Sequence, residues 1–160
     1  MKATTIRLVT EINAPIGRVF DLSRSIDLHV ISTEQTGEQA IAGVTSGLIG
    51  LGETVTWRAK HFGVWQQLTT IITEFDPPNH FTDEMVKGVF KSICHEHHFE
   101  AIKGITLMKD IFIYEVPFGL AGVIFNKLIL KRYMARLLAT RNKVIKTIAE
   151  SNEWEKVLAV

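Results

Sequence analysis

The sequence contains few of the features that mark secreted or membrane-spanning proteins. It has one cysteine, Cys94, so no disulfide can form within the chain, and this usage suits a reducing compartment. No apolar run reaches the roughly 18 uninterrupted residues that a transmembrane helix needs. The residues after Met1 lack the continuous apolar stretch of a signal peptide. We therefore expect a cytoplasmic protein.

Neither charge nor composition is extreme. The chain has 160 residues, of which 46% are hydrophobic and 22% charged, and this favours one globular domain over residues 1–160. The formal net charge of +1 gives no general attraction to nucleic acid, and we expect no nucleic-acid partner. Residues 42–52 are rich in glycine but lack the lysine and the spacing of a phosphate-binding loop.

Hydrophobic periodicity predicts a strand, two short helices and then a run of strands. Residues 3–12 alternate as a strand does, and Asn13, Ala14 and Pro15 mark the start of a short helix. A second short helix is predicted near residues 27–31. Further strands are predicted at residues 33–41, 53–62, 64–75, 80–86, 90–102 and 105–116. The short links between them imply antiparallel neighbours.

The last part of the sequence predicts one long helix from residue 120 to about residue 150. No proline or glycine follows Gly122 in this stretch, and apolar residues recur at helical spacing. The second half is amphipathic, whereas the first half is apolar almost all round. Together with the strands, this order predicts an α+β fold in which a curved antiparallel sheet of about six or seven strands wraps around the C-terminal helix.

The predicted helix also carries an unbalanced charge. No acidic residue lies between Val116 and Ala149. The basic residues in the same stretch are Lys127, Lys131, Arg132, Arg136, Arg141, Lys143 and Lys146. They form either a solvated helix face or a surface for transient contact with an anionic membrane. The apolar start of the helix also leaves open a regulatory or partner-binding protein in which this segment forms a dimer face.

Several segments together carry a resemblance to a known superfamily. They are residues 14–20, 56–63, 81–85, 88–90 and 95–97, with Asp110, Tyr114 and Pro117. Over nearly the whole chain these segments resemble the helix-grip proteins of the SRPBCC superfamily, and within it a bacterial subgroup. That superfamily includes lipid-transfer START domains and polyketide cyclase/dehydrase-like proteins. The resemblance implies a cavity between sheet and long helix for a hydrophobic small molecule or lipid, and it brings no catalytic signature.

Titratable and large apolar side chains share strand faces in the predicted sheet. Successive side chains of a strand alternate between faces, so Ile93, His95, His97 and Phe99 lie on the same side. An unpaired buried polar group costs roughly 1–3 kcal/mol, and this mixture therefore favours a wet or ligand-holding cavity. The residues that we expect to bind the ligand are Trp57, His61, Trp65, Phe81, Asp83, Met85, His95, His97, Phe99, Met108, Asp110, Phe112 and Tyr114.

Three interpretations of the polar members of this set stay open. They hydrogen-bond one another and ordered water as a structural group, they orient the polar end of an apolar ligand, or they perform acid–base chemistry. The favoured function is a carrier or sensor that binds a hydrophobic small molecule or lipid. The alternative is a cyclase/dehydratase-type enzyme whose catalytic residues are His95, Asp110 and Tyr114.

A metal site is a separate possibility. His95 and His97 stand at positions i and i+2 of one strand face, and with His61 and an aspartate they could supply three or four ligands. The His-x-His pattern is short and common, however, and Cys94 points to the other face. The sequence therefore leads us to expect neither a metal nor a cofactor.

Overall fold

A computed structural model describes residues 3–159 as seven strands and a set of helices. The strands are β1 (Thr4–Ile12), β2 (Gln39–Gly43), β3 (Thr54–His61), β4 (Val64–Asp76), β5 (His80–Lys87), β6 (Ser92–Ile102) and β7 (Ile105–Glu115). The α-helices are α1 (Ile16–Ser23), α2 (Ile26–Ser32), α3 (Gly119–Phe125), α4 (Lys131–Ala149) and α5 (Trp154–Leu158). No helix among these residues is long and apolar enough to cross a membrane.

The seven strands form one antiparallel sheet with the order β1-β7-β6-β5-β4-β3-β2. Strands β2 to β7 follow one another as a meander, and β1 closes the far edge by pairing with β7. The helices α1 and α2 follow β1, and the C-terminal helical segment lies across the curved sheet. The predicted α+β helix-grip architecture is confirmed.

The C-terminal helix is continuous but not uniform. A π-helical stretch, Asn126–Leu130, joins α3 to α4. Asn126 is buried there, where its Oδ1 accepts a 2.6 Å hydrogen bond from the Tyr114 hydroxyl and its Nδ2 donates to Thr4 Oγ1 at 2.8 Å. The irregular turn therefore coincides with the point at which the helix is tied to β7 and β1.

Two clusters of buried apolar side chains hold the sheet and helices together. In the first cluster, Phe20 of α1 lies edge-on to Phe75, Phe81 and Phe99, with ring centroids 5.5, 5.6 and 5.4 Å away. The second cluster lies at the other end of the sheet. It contains Ile6, Ile93, Phe112, Tyr114, Val116, Leu130 and Leu138.

The largest departure from the predicted elements lies between α2 and β3. Residues 33–41 were predicted as a strand, but they contain a short 3₁₀ turn, Glu34–Thr36, and only the start of β2. The Thr33 hydroxyl donates to the His29 carbonyl at 2.8 Å, which continues the helical turn. Gly37 then adopts a left-handed conformation with φ of 59°, which reverses the chain. A further short helix, α5, was not predicted.

Candidate functional site

A cavity of about 210 Å³ lies between the sheet and the helices α2 and α4. Its wall is mostly aliphatic and aromatic, with residues from both apolar clusters. The side chains from the expected set that line it are Trp57, His61, Phe81, Asp83, His95, His97 and Phe112. The cavity wall therefore contains seven members of the expected set, which come from β3, β5, β6 and β7.

Four polar residues on three neighbouring strands form the densest group of titratable side chains at this cavity. We call Asp83, His95, His97 and Asp110 the His–Asp cluster. The antiparallel register places Asp83 of β5 directly opposite His95 of β6. The same register places Asp110 of β7 directly opposite His97. Because directly paired residues point to the same face of a sheet, all four side chains converge.

Within the His–Asp cluster each histidine lies between the two carboxylates. His95 Nε2 is 3.0 Å from Asp110 Oδ1, and its Nδ1 is 3.9 Å from Asp83 Oδ2. His97 Nε2 is 3.0 Å from Asp83 Oδ2. His97 Nδ1 is 3.1 Å from Asp110 Oδ1, but the angle is outside hydrogen-bond geometry. That nitrogen is therefore buried without a hydrogen-bond partner among residues 3–159.

Asp110 is the most deeply buried member of the cluster, with its side chain 1% exposed. Two residues of α4 hold it from behind. Asn142 Nδ2 donates to Asp110 Oδ2 at 2.7 Å, and Arg141 Nη1 lies 3.5 Å from Oδ1. Arg141 is itself fixed by a 2.9 Å hydrogen bond from Nη2 to the Ser23 carbonyl. Helix α4 therefore positions the carboxylate that contacts both histidines.

This environment lowers the pKa values of both carboxylates and of His95. Burial alone would raise the pKa of Asp110, but the contacts from His95 and His97 outweigh it and hold that pKa well below its ordinary value. Asp83 shows the same balance, with its pKa lowered mainly by the hydrogen bond from His97. Burial, together with the neighbouring His97, lowers the pKa of His95 to about 4. A neutral His95 therefore donates its Nε2 proton to Asp110 and keeps a lone pair on Nδ1.

A second polar group lies elsewhere on the cavity wall. His61 Nδ1 is 2.8 Å from the Tyr133 hydroxyl, and His29 Nε2 is 3.3 Å from Glu38 Oε1. Burial opposes the ionisation of Glu38, but the close contact with His29 lowers its pKa. The His29 ring also stacks on Trp57 at 4.0 Å between centroids. This group gives the cavity a second set of hydrogen-bonding atoms.

Sequence reasoning missed several of these residues. Glu38 lay in a segment interpreted as a strand, and Arg141 was counted with the basic helix face. A signal was present for Arg141 and Asn142, because they follow Leu138 by three and four residues and therefore share its apolar stripe. Polar residues on an apolar helix face indicate that the helix covers a polar site.

Six residues of the expected set do not line the cavity. They are Trp65, Met85, Phe99, Met108, Asp110 and Tyr114. Trp65 lies on the outer face of the sheet, because the tight β3–β4 turn pairs Trp57 with Leu68 and Lys60 with Trp65. The Arg58 guanidinium stacks over the Trp65 ring at 4.6 Å.

The other five of these residues are placed in the protein interior. Phe99 and Met108 belong to the first apolar cluster beneath α1, and Met85 packs at the edge of the second cluster. Asp110 lies behind the two histidines. Tyr114 donates its hydroxyl to Asn126, and burial raises its pKa to about 12. Of the three residues considered for catalysis, His95 and Asp110 are therefore in contact, whereas the Tyr114 hydroxyl is bound elsewhere.

Comparisons with known proteins identify the fold. No protein-family model matches the chain, and no curated protein matches its sequence. TTHA0849 from Thermus thermophilus is 17% identical, with 91% of this chain and 99% of that chain covered and a TM-score of 0.71. Major latex-like protein 151 from Panax ginseng is 18% identical, with 93% and 99% covered and a TM-score of 0.65. Ara h 8.0201 is 11% identical, with 91% and 99% covered and a TM-score of 0.63.

At such low identity these likenesses show a shared fold and nothing finer. They agree with the helix-grip fold that the resemblance to the SRPBCC superfamily implied. The chain is therefore a helix-grip protein with a cavity between sheet and helix, and the bacterial subgroup stays a prediction.

Proposed function

We propose that this protein binds a small amphipathic molecule in the cavity, as a carrier or sensor in the cytoplasm. The observation that supports this most directly is the composition of the cavity wall. Trp57, Phe81 and Phe112 supply flat apolar surface, and the His–Asp cluster supplies hydrogen-bonding atoms at one place on it. A mostly apolar pocket with a few placed polar groups is the usual form of a small-molecule site.

The cavity volume restricts the proposed ligand. Pockets for drug-sized molecules commonly measure about 300–1,000 Å³, and this cavity measures about 210 Å³. A long acyl chain does not fit inside it. The proposed ligand is therefore a compact molecule, or a longer one whose apolar tail projects through an opening.

The cavity opens beside the C-terminal helix. Phe62 and Val89 both line the cavity and are 52% and 49% exposed. The Phe62 ring contacts Tyr133 of the cavity wall and Phe125 of α3, with centroids 4.6 and 5.6 Å away. We call Phe62, Val89 and Tyr133 the mouth of the cavity.

Exposed apolar side chains also lie before and after Phe125, which contacts Phe62 of the mouth. We call them the apolar patch, which consists of Phe118, Leu120, Ile124, Leu128 and Ile129. The exposed basic residues nearest to it in the chain are Lys127, Lys131, Arg132 and Arg136. Apolar side chains flanked by basic ones suit transient contact with an anionic membrane, and such contact would bring the mouth to the lipid surface. Arg141 is not part of this surface, because it is buried against Asp110.

A mutation that fills the cavity tests ligand binding. Ala59 is buried on the cavity wall, so Ala59→Leu places a larger side chain in the open space, whereas Ala101→Leu adds the same atoms at an exposed position of β6. The probe is anilinonaphthalene sulfonate, and native mass spectrometry of protein from its own cells searches for a natural ligand. We expect Ala59→Leu to lose most of the probe fluorescence and any co-purified species, and Ala101→Leu to keep both. Equal binding by the two variants would contradict the proposal.

A cyclase/dehydratase-type activity is a second candidate, favoured by the contact between His95 and Asp110. His95 Nε2 is held by the carboxylate, so its Nδ1 is oriented towards Asp83 and the cavity, where it can act as a base. In that case His95→Gln abolishes turnover of a bound molecule while retaining its uptake. In a binding protein the same variant changes only affinity.

A further inference from the structure

We propose that Asp83, His95 and His97 bind one divalent transition-metal ion, with zinc as the first candidate. Each of these residues offers one ligand atom, and the three atoms lie within 4.8 Å of one another. Asp83 Oδ2 is 3.0 Å from His97 Nε2 and 3.9 Å from His95 Nδ1. Ligand atoms that share one tetrahedral zinc lie about 3.3 Å apart, since zinc–nitrogen and zinc–oxygen bonds are about 2.0–2.2 Å.

The second observation is the position of Asp110 on the other side of both rings. It lies 3.0 Å from His95 Nε2 and 3.1 Å from His97 Nδ1, which are the nitrogens that face away from Asp83. Histidines that bind metals usually direct their other ring nitrogen to a carboxylate or carbonyl group, which fixes the tautomer. Asp110 therefore has the place of an outer carboxylate that orients the His95 imidazole, and it lies beside His97 Nδ1 without a hydrogen bond to it.

Asp110 is itself positioned by α4. Asn142 donates to Asp110 Oδ2 at 2.7 Å, and Arg141 lies 3.5 Å from Oδ1. The His95 ring is consequently held by a positioned carboxylate before any ion binds, and preorganisation of this kind favours metal affinity.

The charge of the buried group gives the third argument. With both histidines neutral, the carboxylates of Asp83 and Asp110 and the guanidinium of Arg141 leave one uncompensated negative charge. An uncompensated charge is expensive in such surroundings, and a bound cation would balance it. Two imidazoles and one carboxylate that converge from one side match the donor sets of zinc and non-haem iron sites. A fourth coordination position would face the cavity.

The test begins with the unaltered protein, treated with a chelator and titrated with zinc chloride. Calorimetry should show one zinc per chain. Nitrogen-15 NMR of the histidine rings should show that zinc binds to Nδ1 of His95 and to Nε2 of His97. No zinc binding, or His95 and His97 ring signals that do not change when zinc is added, would overturn the proposal.

Variants then test the ligands against a matched pair on the same strand. His98 and Glu96 lie on the opposite face of β6, 3.1 Å apart, and provide the same donor types outside the cavity. Loss of a residue that only orients a metal ligand already weakens metal binding roughly 10-fold. We therefore expect Asp83→Asn and His97→Gln to weaken zinc binding by at least this factor. His98→Gln and Glu96→Gln should leave zinc binding unchanged. If His98→Gln and Glu96→Gln lose zinc binding while Asp83→Asn and His97→Gln keep it, the site is refuted. Ring NMR on the unaltered protein decides the question if a variant fails to fold.

The metal site shares Asp83, His95 and His97 with the polar end of the cavity, but the two proposals can be tested separately. Zinc can bind in the absence of the ligand, and the Ala59→Leu variant, which fills the cavity, retains all three donor residues. Zinc binding by that variant without probe binding would therefore support the metal site alone.

Discussion

The two ends of the cavity differ in how their side chains are satisfied. In the His–Asp cluster, both histidines and Asp110 are buried, and Arg141 and Asn142 hold Asp110 in place. At the mouth, Phe62 and Val89 are half exposed, and the neighbouring apolar patch has no covering element among residues 3–159. The first end is arranged for fixed geometry and the second for contact with something outside the protein. Binding of a ligand polar at one end and apolar at the other would use this difference.

The largest expected loss of stability comes from removing the buried carboxylate of Asp110. Asp110→Ala leaves the Arg141 guanidinium buried without a carboxylate, and loss of one partner of a buried pair costs about 3–5 kcal/mol. Urea unfolding measures the change. Lys109→Ala is the control, because its 3.0 Å pair with Glu100 is exposed and should cost no more than about 1 kcal/mol. Similar losses for both variants would show that the cluster is not tightly held.

The next prediction compares a ring in the core with a ring on the cavity wall. Phe20 contacts three other rings, so Phe20→Ala should cost about 3–5 kcal/mol. Phe112 borders open space, so its truncation leaves less new void and should cost less stability. We expect Phe112→Ala, like Trp57→Ala, to weaken probe uptake more than folding. If Phe112→Ala is as destabilising as Phe20→Ala, the ring belongs to the ordinary core.

The sequence predicts the sheet face of some expected residues but not that of Trp65. Period-two alternation on β6 and β7 is sufficient to place His95, His97 and Phe112 on the inner face, because a close hairpin keeps the two strands in register. The same reasoning fails for Trp65. Its strand follows a turn of only two residues, and the resulting register turns Trp65 outwards and Leu68 inwards. Alternation predicts which side chains of one strand share a face. The register across the turn must be known before that face can be assigned in the next strand.

The contributions of helix α4 could not be predicted from its own pattern. Arg141 and Asn142 carry polar atoms on an apolar stripe, and this marks a buried polar partner without identifying it. The partner, Asp110, is about thirty residues earlier in the chain and meets them only because the sheet curves under the helix. Long-range contacts of this kind depend on the fold and not on local periodicity.

A smaller effect is expected at high pH, from the tyrosine that lies away from the cavity. Burial raises the pKa of Tyr114 to about 12 from an ordinary value of 10.0. Between these two pH values the unfolded chain releases the phenolic proton and the folded protein keeps it, so the free energy of unfolding should fall as pH rises from 10 to 12. Ultraviolet difference titration and urea unfolding measure the two effects.

Tyr114→Phe supplies the control for that titration. The variant removes the phenol, so its stability should lose the part of the alkaline slope that belongs to Tyr114. It should also be less stable at neutral pH by about 1–3 kcal/mol, because Asn126 Oδ1 loses its buried donor. An unchanged alkaline slope would show that Tyr114 is accessible to solvent in the folded protein.

The smallest expected effect concerns the mouth end and its proposed membrane contact. Leu128 of the apolar patch is 71% exposed, so Leu128→Ser should leave stability almost unchanged while weakening binding to vesicles that contain phosphatidylserine. Lys131→Gln should weaken the same binding by about 1 kcal/mol, and added salt should reduce that difference. Val9→Ser is the control, because Val9 is similarly exposed, at 65%, on β1 and outside the patch. If Val9→Ser weakens vesicle binding as much as Leu128→Ser does, general hydrophobicity accounts for the contact, and the mouth end differs from the His–Asp cluster only in its exposure.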